Sequence, residues 1–136
     1  MTSHNNIKKI KKELVLSFKK FPTTCMNLPN HGERIVAVTS VEKGDHLGVI
    51  TTKGMGLIFD QADIRAMGKT AGGVKAIDLA DGDRIAHMFK YTDEPFILIY
   101  AKEQAKLLNV SDDLRIRKRG RRGDSRANLK KAQTLV

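Results

Sequence analysis

The chain has 136 residues, with 25 Lys and Arg against 15 Asp and Glu, for a formal net charge of +10. That length supports one domain and excludes a TIM barrel or a two-domain nucleotide enzyme, and no apolar run reaches the ~18 residues that a membrane span needs. Aromatic residues are only 5 % and Trp is absent, which argues against single-strand binding by stacking, and the lone Cys25 leaves neither an internal disulfide nor a multi-cysteine zinc site.

In chain order, the first organised pattern after the Lys-rich start is Arg34-Ile-Val-Ala-Val38, whose β-branched content predicts a strand. His46-Leu-Gly-Val-Ile-Thr51 and Gly56-Leu-Ile-Phe59 predict a hairpin across Thr52-Lys-Gly-Met55, where Gly54 supplies a positive φ. Ala62–Met67 reads as a helical turn or an irregular connection, and Gly68-Lys-Thr-Ala-Gly-Gly73 as a loop. Val74–Leu79 alternates as a strand does. Asp81-Gly-Asp83 then turns the chain into a further strand at Arg84–Phe89, and Phe96–Tyr100 with Ala105–Val110 predicts a last hairpin. The fold class expected is all-β, with cores that include Ile50, Leu57, Phe59, Ile77, Ile85, Phe96, Leu98 and Leu108.

The segments repeat. Gly32-Glu-Arg-Ile recurs as Gly82-Asp-Arg-Ile, shifted by 50, and the same shift carries residues 46–59 onto 96–109, Asp63 onto Asp113 and Gly73 onto Gly123. A period in this range signals a solenoid or propeller, here with about two and a half units of roughly 50 residues. The division expected is a partial first unit at about 1–40, a complete one at about 41–91 and a divergent one at about 92–136.

Charge is concentrated at the ends. Residues 1–20 hold six Lys against Glu13, and residues 114–131 hold nine cations against Asp124, whereas residues 40–100 hold seven basic and nine acidic side chains. Arg offers a planar fork of donors that fits phosphate oxygens, so the Arg-rich second cluster is the stronger candidate for a polyanion surface. The Lys run reads instead as a mobile tail. Unpaired strand edges at the partial units would further favour association with a second copy of the chain.

Gly48-Val-Ile-Thr-Thr-Lys-Gly-Met-Gly-Leu-Ile-Phe59, Asp63-Ile-Arg65, Gly72-Gly-Val-Lys-Ala-Ile-Asp-Leu79 and Asp81-Gly-Asp-Arg-Ile85, in that order, resemble one blade of the C-terminal DNA-binding domain of type IIA topoisomerase A subunits, the family of DNA gyrase and topoisomerase IV. The resemblance covers about residues 32–123. It implies a β-pinwheel, a propeller-like arrangement of blades that exchange strands and hold or bend duplex DNA on a basic rim. It also implies, as partners, duplex DNA, the ATPase subunit of the enzyme and the rest of the A subunit. The family's wrapping box reads Gln-Arg-Arg-Gly-Gly-Lys-Gly. Its nearest match here, Gly120-Arg-Arg-Gly-Asp-Ser-Arg126, keeps Arg121, Arg122 and Gly123, a degenerate form closer to topoisomerase IV or a divergent relative. The DNA-binding residues expected are Arg115, Arg117, Lys118, Arg119, Arg121, Arg122 and Arg126, joined by Lys53, Arg65, Lys69 and Lys75, with Gly120 and Gly123 shaping the box-like loop.

No catalytic constellation accompanies them. The family's cleavage tyrosine follows an Arg, whereas Tyr91 follows Lys90 and Tyr100 follows Ile99. His4, His31, His46 and His87 do not fall at metal-ligand spacing. Asp81 and Asp83 flank a turn glycine, and Gly68-Lys-Thr lacks the upstream glycine of a phosphate loop. Neither a metal nor a cofactor is expected, nor is a membrane partner. The start of the chain lacks the apolar run of a signal peptide, so a cytoplasmic location is expected. Size and charge alone would equally suit a basic RNA-binding or ribosome-associated protein.

Overall fold

Gly54, with φ +82°, turns the chain between two strands, while Thr51 closes the loop by donating its N–H to Met55 O (2.8 Å) and accepting the Met55 N–H on Oγ1 (3.0 Å). A computed structural model describes residues 1–18, 22–91, 96–101 and 104–125, apart from the side chains of 96–98, 100, 101 and 111. Its elements are β1 (Asn6–Ile7), α1 (Lys12–Leu16), β2 (His46–Thr51), β3 (Gly56–Asp60), a 3-10 turn at Gln61–Asp63, β4 (Val74–Lys75), β5 (Ile85–Tyr91), β6 (Phe96–Ala101), β7 (Gln104–Asn109) and α2 (Val110–Asp113). All the ladders are antiparallel: β3-β2-β5 form one sheet, β6 and β7 a hairpin, and β1 pairs with β4.

The central sheet is covered on both faces. Alternation along the strands sends Leu47, Val49, Leu57 and Phe59 into one core with Ile7, Ile64, Ala76, Ile77, Ile85 and Met88. Ile50 and Ile58 point the other way, into a second core with Ile99, Leu108, Val110 and Leu114. Gly48 has no side chain because the Phe89 ring, opposite it in the β2–β5 register, fills the space a Cβ would take.

Successive hairpins obey the same hydrogen-bond plan. Thr2 donates its N–H to Asn6 O and its Oγ1 accepts from Asn6 N, which copies the bonding of Thr51 with Met55. Asn5 takes φ +76°, where Gly54 takes +82°. Ser3 donates its N–H to Arg34 O as Thr52 does to Arg84 O, both at 2.8 Å. The first hairpin turn thus sits 49 residues before the second, while Gly32 (φ +72°) and Gly82 (φ +74°) keep the spacing of 50.

Three expectations need correcting. Arg34–Val38 is not a ladder strand: its pairing is a bridge from Ile35 to Thr2 with contacts from Met1 to Val36 and Ala37, and Val38 is 83 % exposed. Val74–Leu79 stops laddering after Lys75, because the Asn5 side chain takes over. Its Oδ1 accepts the N–H of Ala76 (3.2 Å) and Ile77 (3.1 Å), and its Nδ2 donates to Ile77 O (2.6 Å). The Lys-rich start is no tail up to Lys9. Lys9 bridges to Ala66, Lys9 Nζ donates to Gln61 O and Oε1, and Lys8 Nζ donates to Cys25 O (2.6 Å), where burial lowers its pKa below the ordinary lysine value. Of the expected core, Ile50, Leu57, Phe59, Ile77, Ile85 and Leu108 are buried; the side chains of Phe96 and Leu98 lie outside the described residues.

Candidate nucleic-acid interface

Residues 114–125 leave their own hairpin and cross onto the neighbouring one. Leu114, buried at the end of α2, anchors the departure. Ile116 then bridges to Ile58, Arg117 donates its N–H to Ile58 O (2.8 Å), and Asp124 exchanges two backbone bonds with Gly56, each 2.7 Å. Residues 66–75 make the same crossing onto the first hairpin, with a Lys9–Ala66 bridge and the Ile7–Val74 pair.

Both crossings need a glycine where two backbones meet. A Cβ on Gly123 would stand 2.6 Å from Gly56 O and 2.9 Å from Ile77 Cδ1; one on Gly73 would stand 2.5 Å from Ile7 O. Gly123 is therefore set by close approach. Gly120 is the residue that turns the loop, at φ +80°, with its N–H on Ala76 O (2.7 Å).

The cations of this crossing divide into tied and free. Arg119 donates Nε to Asp63 O (3.0 Å), Nη1 to Lys75 O (2.6 Å) and its backbone N–H to Asp63 Oδ2 (3.1 Å), which fastens the loop to the neighbouring unit. Arg117 pairs with Asp124 at 3.3 Å, and Lys118 with Asp63 at 3.5 Å although its side chain is 81 % exposed. Lys75 pairs with Asp78 at 3.7 Å and stands beside Gly120. Arg115, Arg121 and Arg122 are exposed and make no side-chain hydrogen bond or ion pair among the described residues.

The remaining expected residues are placed elsewhere. Arg65 and Lys69, both exposed, flank the start of the earlier crossing, one repeat before Arg115 and Arg119. Lys53 is apart from both, in the β2–β3 turn, donating Nζ to Asp81 O (2.7 Å). Arg126 lies outside the described residues. Sequence reasoning missed Asp63 and Asp124 as anchors of the crossing, although the recurrence of Asp63 at Asp113 was a signal. It also passed over Arg34 and Arg84, which follow the two repeated turns.

Among the described residues no group of three His, Cys, Asp or Glu is placed to hold a metal, and no helix is long and apolar enough to cross a membrane. Strand-exchanging antiparallel blades with basic crossings define a β-pinwheel, the architecture that the family resemblance implied. Residues 45–91 match the family of the DNA gyrase C-terminal domain, beta-propeller. The chain is 31 % identical over 121 residues to the A subunit of DNA topoisomerase 4 from Staphylococcus aureus, covering 84 % of this chain and 15 % of that protein. A crystal structure of the C-terminal domain of DNA topoisomerase IV superposes with a TM-score of 0.83 at 23 % identity, over 99 % of this chain and 42 % of that one. The DNA gyrase A C-terminal domain gives 0.82 at 23 % identity, over 100 % of this chain and 45 % of that one. Residues 45–91 thus carry a blade of the DNA gyrase C-terminal domain family, the chain as a whole is similar to the C-terminal region of type IIA topoisomerase A subunits, and it spans about 15 % of the length of the full-length relative it matches. The alternative of an RNA-binding or ribosome-associated protein gains no support from these relatives.

Proposed function

We propose that this chain holds or bends duplex DNA as the C-terminal part of a type IIA topoisomerase A subunit, supporting strand passage that is carried out elsewhere in the enzyme. The observation that carries this reading is the gyrase-type blade at residues 45–91 with a crossing laid over it that leaves Arg115, Arg121 and Arg122 exposed and, among the described residues, unpaired. Free guanidinium forks meet phosphate oxygens without reading base sequence, so affinity comes from counterion release. Arg65, Lys69 and Lys75 extend the same contact, and the partially paired Arg117 and Lys118 join it by exchanging carboxylate for phosphate. Arg119 positions the loop, and Gly120 and Gly123 shape it. The chain is read as three units, at about 1–40, 41–91 and 92–136, with a non-catalytic role. Its partners are duplex DNA, the ATPase subunit of the enzyme and the remainder of the A subunit, in the cytoplasm.

A fluorescence titration of duplex DNA across salt tests the reading. Replacing Arg115, Arg121 and Arg122 by Ala should flatten the slope of log K against log salt by about three, since each phosphate contact contributes about 0.9. Equal slopes for the two proteins would show that duplex DNA does not lie on this crossing. Tighter binding to structured RNA than to duplex would favour the RNA-binding class.

A further inference from the structure

A second basic feature lies away from the crossing, where the first two repeated turns meet. Four chain segments are knitted side by side there. Ser3 donates its N–H to Arg34 O (2.8 Å) and accepts the Ile85 N–H on its carbonyl (3.0 Å), and Thr52 donates its N–H to Arg84 O (2.8 Å). The hydroxyls complete the pattern: Ser3 Oγ accepts from Arg34 N (3.1 Å) and Thr52 Oγ1 from Arg84 N (3.2 Å). Arg34 and Arg84, one repeat apart in sequence, are thereby fixed on segments flanking Ser3 and His4. They border an open cleft of about 300 Å³ whose other lining residues are Gly32, Thr52, Ile85 and Ala86.

Among the described residues the lining contains no carboxylate. Each arginine follows an acid, but both acids face inward and are engaged by their own turns. Glu33 is bound by Thr2, Asn6 and Asn30, and Asp83, 1 % exposed, by Thr52 and by the N–H groups of Lys53 and Arg84. Arg84 uses only Nη1, on Asp83 O (2.8 Å), and Arg34 makes no side-chain bond among the described residues. The cleft thus gathers two guanidinium groups and an imidazole with no counter-charge among the described residues of its walls, the donor set that suits a tetrahedral oxyanion.

We infer that this cleft binds a phosphate group, held by Arg34 and Arg84 with His4 as a further donor. The source argued for is a backbone phosphate of the duplex, so that part of the inference rests on the function proposed above, while a free phosphate offers the same chemistry.

Two arms of one experiment on the full chain separate these sources. Inorganic phosphate, titrated at constant ionic strength against chloride, should shift the His4 ring resonances saturably, and Arg34→Gln/Arg84→Gln should weaken that binding by about tenfold or more. The amide spectrum of the rest of the chain checks that the variant is folded. In the second arm, duplex DNA should displace phosphate from His4, and the double variant should flatten the salt slope by about two. A saturable phosphate response with an unchanged DNA slope would support the oxyanion site and overturn its assignment to duplex. No saturable response at His4 together with an unchanged slope would overturn the site itself. If the chain failed to bind duplex at all, the proposed function would fall while the phosphate arm still decided the cleft.

Discussion

Glu33 and Asp83 occupy the same place in successive turns, and they differ in how fully they are satisfied. Both accept from the loop of their own hairpin, and both donate their N–H three residues back, to Asn30 O and Ala80 O, each at 3.1 Å. Both Glu33 oxygens have partners, through Thr2 and Asn6 on one side and Asn30 on the other. Asp83 Oδ1 has Thr52, Lys53 and Arg84, whereas Oδ2 is buried with no partner among the described residues. The repeat explains the deficit, because Asn30 gives way to Ala80.

Ala80→Asn should supply the missing partner. A buried acceptor without a hydrogen bond costs about 1–3 kcal/mol, so the variant should gain about 1 kcal/mol in urea unfolding. Asn30→Ala should lose a comparable amount. A neutral result for both would mean that these side-chain amides contribute nothing to the turns.

Glu33 should make stability depend on acid. Burial alone would raise its pKa, but the hydrogen bonds from Thr2, Asn6 and Asn30 outweigh it and bring the carboxyl from 4.5 down to about 2. A carboxylate whose pKa is lower in the folded state stabilises fully above the unfolded value and loses that contribution as pH falls through the folded one. Stability should therefore decline between about pH 4.5 and 2, and Glu33→Gln should remove much of that slope. Chemical denaturation at several pH values measures it.

The Asn5 side chain acts as a length of strand, making three bonds to the backbone of Ala76 and Ile77. Asn5→Gly would relieve the positive φ yet strip those bonds, and the loss should win, by about 1–3 kcal/mol. A thermal melt that rose for Asn5→Gly would show that backbone strain dominates instead.

The two glycines of the Arg-rich loop should respond differently. Gly123→Ala places a Cβ against Gly56 O and Ile77, which cannot move without opening the sheet, so it should cost about 1–3 kcal/mol and speed hydrogen exchange at the Gly56 and Asp124 amides. Gly120→Ala meets only the flexible end of Lys75 at 3.8 Å, so its penalty comes from φ +80° and should stay near 1 kcal/mol. Equal exchange rates at Gly56 in the wild type and Gly123→Ala would refute the close-approach argument.

What the sequence disclosed was whatever kept a constant spacing and residue type, the Gly-acid-Arg turns and the glycine at 73 and 123, together with the hairpin at 46–59, legible from its β-branched runs on either side of a glycine turn. The turn at Asn5 stayed hidden because it sits 49 rather than 50 residues before Gly54 and substitutes a different residue for glycine. The N-terminal lysines read as a tail because their partners, Cys25 O and Gln61, are brought to them by the fold. Composition gave the total charge of the Arg cluster correctly, but it could not separate Arg119 from Arg121, since that distinction depends on Asp63 and on the Lys75 carbonyl, which belong to the previous unit.

The crossing also sets an order of assembly. Gly56 and Ile58 are synthesised early, but the edge they form is not closed until Asp124 has arrived from the following repeat. During translation each of the first two hairpins therefore waits, half-roofed, for a segment more than one unit downstream, so these blades must be completed jointly with their neighbours rather than one at a time. A destabilising change in the loop at 115–124 is then felt first in the blade before it, and damage passes backward along the chain.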